Sequence, residues 1–202
     1  MPRVLYIECS PRQEKSASSA VAQAFLESYK KLNPDAQILK LDLWEIQLPE
    51  FNHHLIDAKY AILSGQEPVG DERDAWRDVE DLISEFKSAD KYIISLPMWN
   101  FGIPYKLKHY IDLIVQPSYT FSYTSAEGYK GLVVGKSVMV VYSRGALYTA
   151  EMAIDFQIPY MDNILKFIGF TDIRKLLVES TMTGPETVAK AVEEAKVMAE
   201  KF

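Results

Sequence analysis

Hydrophobic residues along this chain fall into short continuous runs separated by segments with helical spacing. Asp90–Leu96 carries a nearly unbroken apolar run, which is typical of a strand buried on both faces of a parallel sheet. Between Asp71 and Ser88, apolar residues recur every three or four positions, which predicts an amphipathic helix packed on such a sheet. The pattern therefore indicates buried strands that alternate with covering helices.

The same reasoning predicts five strands and places helices in the intervals between them. The predicted strands are Val4–Glu8, Gln37–Leu43, Asp90–Leu96, Ser137–Tyr142 and Ile173–Val178. The first predicted helix follows a polar loop at 10–18 and continues to Lys31. The other predicted helices are Asp71–Ser88, Tyr105–Val115, a segment that includes Asn163–Ile168, and Pro185–Lys201. The stretch with Pro49, His53 and His54 is predicted to be irregular.

This alternation predicts one α/β domain over residues 1–202, with a hairpin insertion at about 117–131. Right-handed crossovers between parallel strands place helices on both faces of a sheet. We therefore predict a flavodoxin-like three-layer sandwich whose five-stranded parallel sheet has the order 2-1-3-4-5. Its switch point, between the first and third strands, is where such sheets bind ligands.

The third strand ends in a turn that suits a flat ligand. Prolines on both sides of the turn restrict its backbone. Between them stand a thioether, an indole, a carboxamide and a phenyl ring, carried by Met98, Trp99, Asn100 and Phe101. Because loops at the carboxyl ends of parallel strands bind ligands, we predict that these residues line a site. A strand-to-helix corner with core aromatics is the alternative.

The loop after the first strand is rich in hydroxyls and opens directly into a helix. A helix amino terminus presents unpaired N–H groups and a partial positive charge, and Ser10, Ser16 and Ser18 add hydroxyl donors around a phosphate. Neither a glycine-rich dinucleotide motif nor a lysine-bearing P-loop occurs in the chain, so we predict a monophosphate cofactor. A serine that only caps the helix is the alternative.

The fourth strand ends in a third candidate loop, Ser143–Ala146. Gly145 permits a turn that brings N–H groups against a ligand edge, and Arg144 is a fixed cation. The alternatives are a surface ion pair for Arg144 and ordinary turn chemistry for Gly145. All three loops meet at one edge of the predicted sheet, where a phosphate cradle, an aromatic wall and a second set of donors suit FMN.

Composition narrows the class of protein. The chain has 22 basic and 28 acidic residues and a net charge of −6, which gives no support to nucleic-acid binding. Its one cysteine, Cys9, agrees with a reducing cytoplasm. The start of the chain has no signal-peptide pattern and no apolar run approaches the ~20 residues of a membrane span, so we expect a cytoplasmic protein without membrane association. The three histidines are spaced poorly for a metal, and no metal or catalytic side chain is predicted.

The three loops stand in collinear order with further short motifs that extend over nearly the whole chain. These are Thr120-Phe121, Gly131-Leu132-Val133, Gly135-Lys136, Gly169-Phe170-Thr171-Asp172 and Gly184-Pro185-Glu186. Together they resemble the FMN-dependent NADH-azoreductase family, relatives of the flavodoxin-like NAD(P)H:quinone reductases. The resemblance implies tightly bound, non-covalent FMN that is reduced by NADH or NADPH and passes two electrons to quinones or aromatic azo compounds, the latter being cleaved.

The resemblance also assigns roles to the residues of the three loops. The implied phosphate ligands are Ser10, Ser16, Ala17 and Ser18. The isoalloxazine ring would lie along Met98, Trp99, Asn100 and Phe101, and its polar edge against Ser143, Arg144, Gly145 and Ala146. Two positions depart from the family: Trp99 replaces an expected tyrosine and changes the width of the wall, and Ala146 replaces a usual glycine and restricts the backbone. No separate dinucleotide motif is visible, so one site would serve both substrates in turn, with ping-pong kinetics.

An aromatic segment follows the third predicted helix, Tyr105–Val115. Tyr119, Phe121 and Tyr123 alternate along an extended stretch, which predicts three aromatics on one face. A hairpin with that face in water is marginal, so we predict that it covers the active site or packs on a second subunit, with packing on its own sheet as the alternative. Members of the resembled family are homodimers with flavin sites at the interface, which implies a homodimer here. The predicted substrate pocket consists of Trp99, Phe121, Tyr123 and Tyr148.

Two other classes of protein stay open at this point. A flavodoxin-type electron carrier would share the fold and FMN without turning over nicotinamide, although such carriers are usually smaller, more acidic and without a covering hairpin. A response-regulator-like signalling domain would need several acidic residues at the ends of the first and third strands, and Glu8 stands alone there.

Overall fold

All five predicted strands form, and they lie in one parallel sheet. The computed structural model describes residues 1–202. The strands of the sheet are β1 (Arg3–Glu8), β2 (Gln37–Asp42), β3 (Lys91–Pro97), β6 (Ser137–Ser143) and β7 (Asp172–Val178). Their order is β2-β1-β3-β6-β7, with every neighbouring pair parallel. The predicted order 2-1-3-4-5 is thereby confirmed, because β6 and β7 are the fourth and fifth predicted strands.

Helices cover both faces of this sheet. They are α1 (Ala17–Leu32), α2 (His53–Leu63), α3 (Asp71–Ser88), α4 (Tyr105–Ile114), α5 (Ile158–Ile168) and α6 (Glu186–Ala199). Because successive strand residues point to opposite faces, Val4 and Tyr6 pack with α1 and α6, whereas Leu5 and Ile7 pack with α2 to α5. The first cluster has 16 buried residues and the second has 29, so most of the apolar burial that stabilises the fold lies on the α2 to α5 side.

Helix α2 lies in the stretch that was predicted to be irregular, so that prediction was wrong. The side chain of Asn52 accepts a hydrogen bond from the Leu55 N–H at 3.2 Å, which caps the start of the helix. Within α2, Leu55 and Ala58 are the buried residues. So narrow an apolar stripe leaves little periodic signal in the sequence.

The segment after α4 forms the antiparallel hairpin β4 (Phe121–Thr124) and β5 (Gly128–Gly131). The hairpin meets the end of α5 at a glycine contact, since a Cβ on Gly131 would lie 2.3 Å from the backbone nitrogen of Gly169. This close approach explains why both positions lack a side chain.

The three aromatic residues of this segment do not share one face, contrary to expectation. Tyr119 lies in the turn before β4, where its hydroxyl donates to Glu80 at 2.6 Å and accepts from the indole N–H of Trp76 at 3.3 Å. The ring of Phe121 instead packs against Phe167 of α5, with ring centroids 4.8 Å apart. The period of two begins only where the chain becomes extended, after Tyr119.

Candidate functional site

The carboxyl ends of β1, β3 and β6 open onto one groove of about 720 Å³. The pairing of β1 with β3 and of β3 with β6 places their loops side by side. The predicted cofactor residues that line the groove are Ser10, Ser16, Ala17, Met98, Trp99, Ser143, Arg144 and Gly145. The structure thus brings together members of all three loops that the sequence singled out.

One end of the groove is the amino terminus of α1. The first bond into this helix runs from the Ala20 N–H to the Ser16 carbonyl at 2.9 Å, which leaves the N–H groups of Ala17, Ser18 and Ser19 without protein acceptors. The hydroxyls of Ser16 and Ser18 lie 3.2 Å apart, and neither caps the helix. Such a terminus, with its partial positive charge, binds phosphate.

A buried polar network lies beneath this end of the groove. The Glu8 carboxylate is paired with the Lys40 ammonium at 2.5 Å and accepts a hydrogen bond from the Tyr6 hydroxyl at 3.2 Å. Burial is the largest single effect and raises the pKa of Glu8, but the hydrogen bonds from Lys40, Ser19 and Tyr6, together with the Lys40 charge, outweigh it and leave that pKa below its usual value. Burial also raises the pKa of Tyr6. Glu8 is therefore an ion whose charge Lys40 offsets, and Tyr6 stays neutral.

The turn after β3 has a strained backbone. Trp99 and Gly102 exchange two backbone hydrogen bonds, at 3.0 and 2.9 Å, and the two residues between them have positive φ: 47° at Asn100 and 68° at Phe101. Asparagine tolerates this left-handed region, whereas a bulky phenylalanine there is an outlier. Strained residues of this kind cluster at functional sites. Asn100 and Phe101 are exposed at the tip of the turn, beside the groove rather than on its lining.

Trp99 lines the groove, and its ring packs on two other aromatic side chains of the same chain. Its ring packs against Trp44, with centroids 5.7 Å apart, and against Tyr105 at 6.5 Å. The indole N–H of Trp44 donates to the Cys9 carbonyl at 3.1 Å, so Trp44 connects the aromatic wall to the end of β1. Sequence reasoning missed Trp44, because the contact joins residues of separate loops.

The loop after β6 contributes mainly through its backbone. Neither Gly145 nor Ala146 has a positive φ, so the alanine in place of a usual glycine causes no strain. Gly145 instead makes room for Met182, because a Cβ on Gly145 would lie 2.9 Å from the Met182 sulfur. The N–H of Gly145 has no protein acceptor. It is therefore free to bind a ligand edge.

The Arg144 side chain is engaged by other residues of the chain. Its side chain is only 3% exposed and forms ion pairs with Asp155 and Glu179. The ion pair given as the alternative is present, but the arginine side chain is buried rather than at the surface. The guanidinium is therefore already bound to protein carboxylates, although Arg144 is among the lining residues.

One wall of the groove comes from a segment to which sequence reasoning gave no role. This wall consists of Thr181, Met182, Pro185, Val188, Ala189, Val192 and Glu193. It follows β7, so the available signal was its position at the carboxyl end of a parallel strand. Arg12, Glu14, Lys15, Ala20 and Pro97 complete the lining.

The predicted substrate-pocket residues are not all brought together within one chain. Trp99 lines the groove, and Tyr148 packs edge-on against Phe101 with centroids 6.2 Å apart. Phe121 and Tyr123 lie on the hairpin, where Tyr123 packs on Tyr129 at 4.9 Å. Neither hairpin residue lines the groove of its own chain.

The remaining reactive side chains have structural surroundings. Cys9 is buried, and burial raises the pKa of its thiol well above the usual value, so the thiol is not activated as a nucleophile. A ring nitrogen of His109 lies 2.8 Å from the Pro49 carbonyl, and the tilted rings of His53 and His54 contact each other at the start of α2, with centroids 4.0 Å apart. The structure has no group of three metal-ligating side chains, and none of its helices combines the length and apolarity needed to span a membrane.

Comparison with known proteins gives the class first. The family model described as the flavodoxin-like fold matches residues 2–202. The chain therefore belongs to the family of proteins with the flavodoxin-like fold.

Individual relatives narrow this class. The FMN-dependent NADH:quinone oxidoreductase of Desulfotalea psychrophila is 46% identical over 201 residues, which cover 98% of this chain and 95% of the relative. A protein of the same name from Nitratidesulfovibrio vulgaris is 47% identical over 212 residues, with 100% of both chains covered. The chain is a member of this FMN-dependent NADH:quinone oxidoreductase family.

Solved structures agree with this membership. An azoreductase from Bacillus anthracis superposes with a TM-score of 0.91 and 29% identity, covering 100% of both chains. An FMN-dependent NADH-azoreductase from the same species, solved in complex with FMN, superposes with a TM-score of 0.89 and 29% identity, covering 100% of this chain and 99% of the other. The resemblance predicted from the sequence motifs is confirmed.

Proposed function

We propose that this protein is an FMN-dependent oxidoreductase that takes two electrons from NADH and passes them to quinones and aromatic azo compounds. The observation that carries the proposal is the groove, which places free N–H groups at the start of α1, an aromatic wall at Trp99 and the free N–H of Gly145 on one surface. The names of the relatives and of the solved structures support both acceptor classes.

The donors of the groove fit FMN in kind and in order. The phosphate would lie against the N–H groups of Ala17, Ser18 and Ser19 and the hydroxyl of Ser16. Trp99 would flank one side of the ring system, and the N–H of Gly145 would face its polar edge. FMN supplies hydride acceptance and two-electron transfer, chemistry that none of these side chains provides.

The chain's own contribution to the rate is the placement of donors. Hydrogen-bond donors that the chain fixes in advance at this end of the groove would stabilise negative charge on the polar edge of a bound FMN. Gly145 provides one such N–H. The carboxamide of Asn100, which the strained turn holds beside the groove, is the second candidate donor.

We propose ping-pong kinetics because the sequence has no separate dinucleotide motif and one groove is lined by residues of all three loops. NADH and the acceptor would then occupy the same aromatic wall in turn. Initial rates measured against acceptor at several fixed NADH concentrations should give parallel double-reciprocal lines. Intersecting lines would show that both substrates bind together.

A homodimer would complete the substrate pocket. Phe121 and Tyr123 lie outside the groove of their own chain, and Tyr123 and Phe156 are 61% and 63% exposed. We propose that these aromatic side chains meet a second copy and reach its flavin site. Sedimentation should show a dimer.

The cytoplasmic location expected from the sequence stays a prediction.

One experiment separates this enzyme from a flavodoxin-type carrier. Purified protein loaded with FMN is mixed with NADH in a stopped-flow instrument, and flavin absorbance is followed. An enzyme bleaches rapidly and recovers its colour when quinone is added, whereas a carrier stays yellow. Protein that does not take up FMN would contradict the proposal altogether. The same mixing with NADPH measures the nicotinamide preference.

A further inference from the structure

Arg144 is the only lysine or arginine that is buried in this chain. Its guanidinium donates to Asp155, lies 3.4 Å from a Glu179 carboxylate oxygen, and donates through Nε to Gln157 at 3.4 Å. An arginine so deeply placed is retained only when its donors are satisfied. Here every partner is a protein side chain.

The partners of Arg144 belong to different loops around the groove. One Asp155 oxygen accepts from the Gln157 and Ile158 N–H groups at 2.9 and 3.1 Å, which caps α5. The Gln157 amide in turn donates to the Leu96 carbonyl of β3 at 3.5 Å. Glu179 directly follows β7. The guanidinium thereby connects the ends of β3 and β7 to the start of α5.

The backbone of Arg144 is fixed as firmly as its side chain. Its N–H donates to the Val178 carbonyl at 2.9 Å, and its carbonyl accepts from both the N–H and the hydroxyl of Thr181 at 3.0 Å. The next residue is Gly145, whose N–H is free. The direction of that N–H therefore depends on the anchoring of Arg144.

We propose that Arg144 is a positioning residue that acts through Asp155 and Glu179 to fix the Gly145 N–H, rather than a cation that binds the flavin. This inference rests on the proposed function. Arginine suits the task because its planar fork binds two carboxylates in a set geometry, which the flexible ammonium of lysine does not reproduce. The ion pairs are the means by which three loops keep one arrangement.

The test compares Arg144→Lys, Asp155→Asn and the double variant, all loaded with FMN. The flavin reduction rate at saturating NADH is measured at 25 °C together with the dissociation constant of FMN. Misplacing a preorganised donor costs up to about 100-fold in rate. We expect each single variant to reduce flavin about 10- to 100-fold more slowly, and the double variant to be no slower than the slower single one, because one linkage is lost in all three.

Asp172→Asn is the matched control. It breaks the ion pair with Arg174 at the opposite end of β7, where Nη2 and Oδ2 lie 2.9 Å apart. This variant and the unmodified protein should reduce flavin at equal rates. If the unmodified protein and Asp172→Asn both fail to bind FMN, or if NADH does not reduce their flavin, the proposed function is wrong. That outcome is distinguishable from slower reduction confined to the Arg144 and Asp155 variants.

Three results would overturn the positioning role. Single variants that melt earlier but reduce flavin at the normal rate would leave Arg144 with a purely structural role. Losses that multiply in the double variant would mean independent roles. A normal rate in Arg144→Lys with a faster rate in Asp155→Asn would mean that the positive charge acts directly. If Arg144→Lys does not fold, Asp155→Asn is combined with Glu179→Gln, with the same expected non-additivity.

Discussion

Replacing Phe101 by glycine and by alanine tests whether the turn beside the groove stores strain. Phe101 has a φ of 68° and its side chain is 45% exposed. Both substitutions remove the ring and its partial burial equally. Only glycine enters the left-handed region without a steric cost. The difference in stability between the two variants therefore isolates the backbone strain from the loss of the ring.

The expected magnitude follows from two opposing contributions. A side-chain-bearing residue in the left-handed region costs about 1–2 kcal/mol. Glycine loses more conformational freedom on folding, which offsets roughly 0.5–1 kcal/mol of that gain. The glycine variant at position 101 should therefore be more stable than the alanine variant by about 1 kcal/mol, which is about 2–4 °C in Tm for a chain of this size.

Urea unfolding followed by far-UV circular dichroism measures this difference in free energy. Ala146→Gly is a suitable control because Ala146 lies near the same groove with no positive φ. There glycine should give no gain. Equal stability of the two Phe101 variants would refute the idea that the turn is strained. Slower flavin reduction in the more stable Phe101→Gly variant would indicate that the strained ring serves the function.

Three further predictions concern other parts of the site. Replacing Ser16 and Ser18 together by alanine should weaken FMN binding by about 1–3 kcal/mol, measured by fluorescence titration; unchanged affinity would relocate the phosphate. Glu8→Gln should lower stability by about 1–3 kcal/mol at pH 7. The pKa of Glu8 is lower in the folded protein than its value of about 4.5 in the unfolded chain. The stability difference between Glu8→Gln and the unmodified protein should therefore be complete above pH 4.5 and should disappear as the pH falls through the folded-state pKa. The double variant Phe121→Ser/Tyr123→Ser should be monomeric or should show a changed preference among acceptors. If it shows no change in either property, the two aromatic residues serve only to pack the protein core.

Local chemistry explains which parts of the site could be predicted. The hydroxyl-rich loop at Ser10 and the turn at Trp99 each carry their signal within a few residues. A serine-rich loop before a helix suits phosphate binding, and an aromatic turn after a buried strand suits ligand binding, without any contribution from distant residues. Their meeting in one groove follows from the strand order, which the alternation of strands and helices predicted.

Contacts between distant residues explain what could not be predicted. The carboxylates that pair with Arg144 lie 11 and 35 positions away in sequence, and no spacing rule selects them from the 28 acidic residues. The same holds for the Trp44 ring behind Trp99. Whether a charged or aromatic side chain faces ligand, solvent or another side chain depends on packing, which local sequence does not encode.

The fold and the three loops that meet at the groove could be predicted from hydrophobic periodicity and turn chemistry, which act over short stretches of chain. The family followed from the short motifs that resemble it. Three features are visible only in the folded chain: Arg144 is bound to protein carboxylates, α6 and Met182 form a wall, and Phe121 lies outside its own chain's groove. They could not be predicted locally because burial and ion pairing depend on which surfaces the packed layers bring together. At this site, packing leaves the backbone N–H of Gly145 without a protein acceptor and pairs the charge of Arg144 with Asp155.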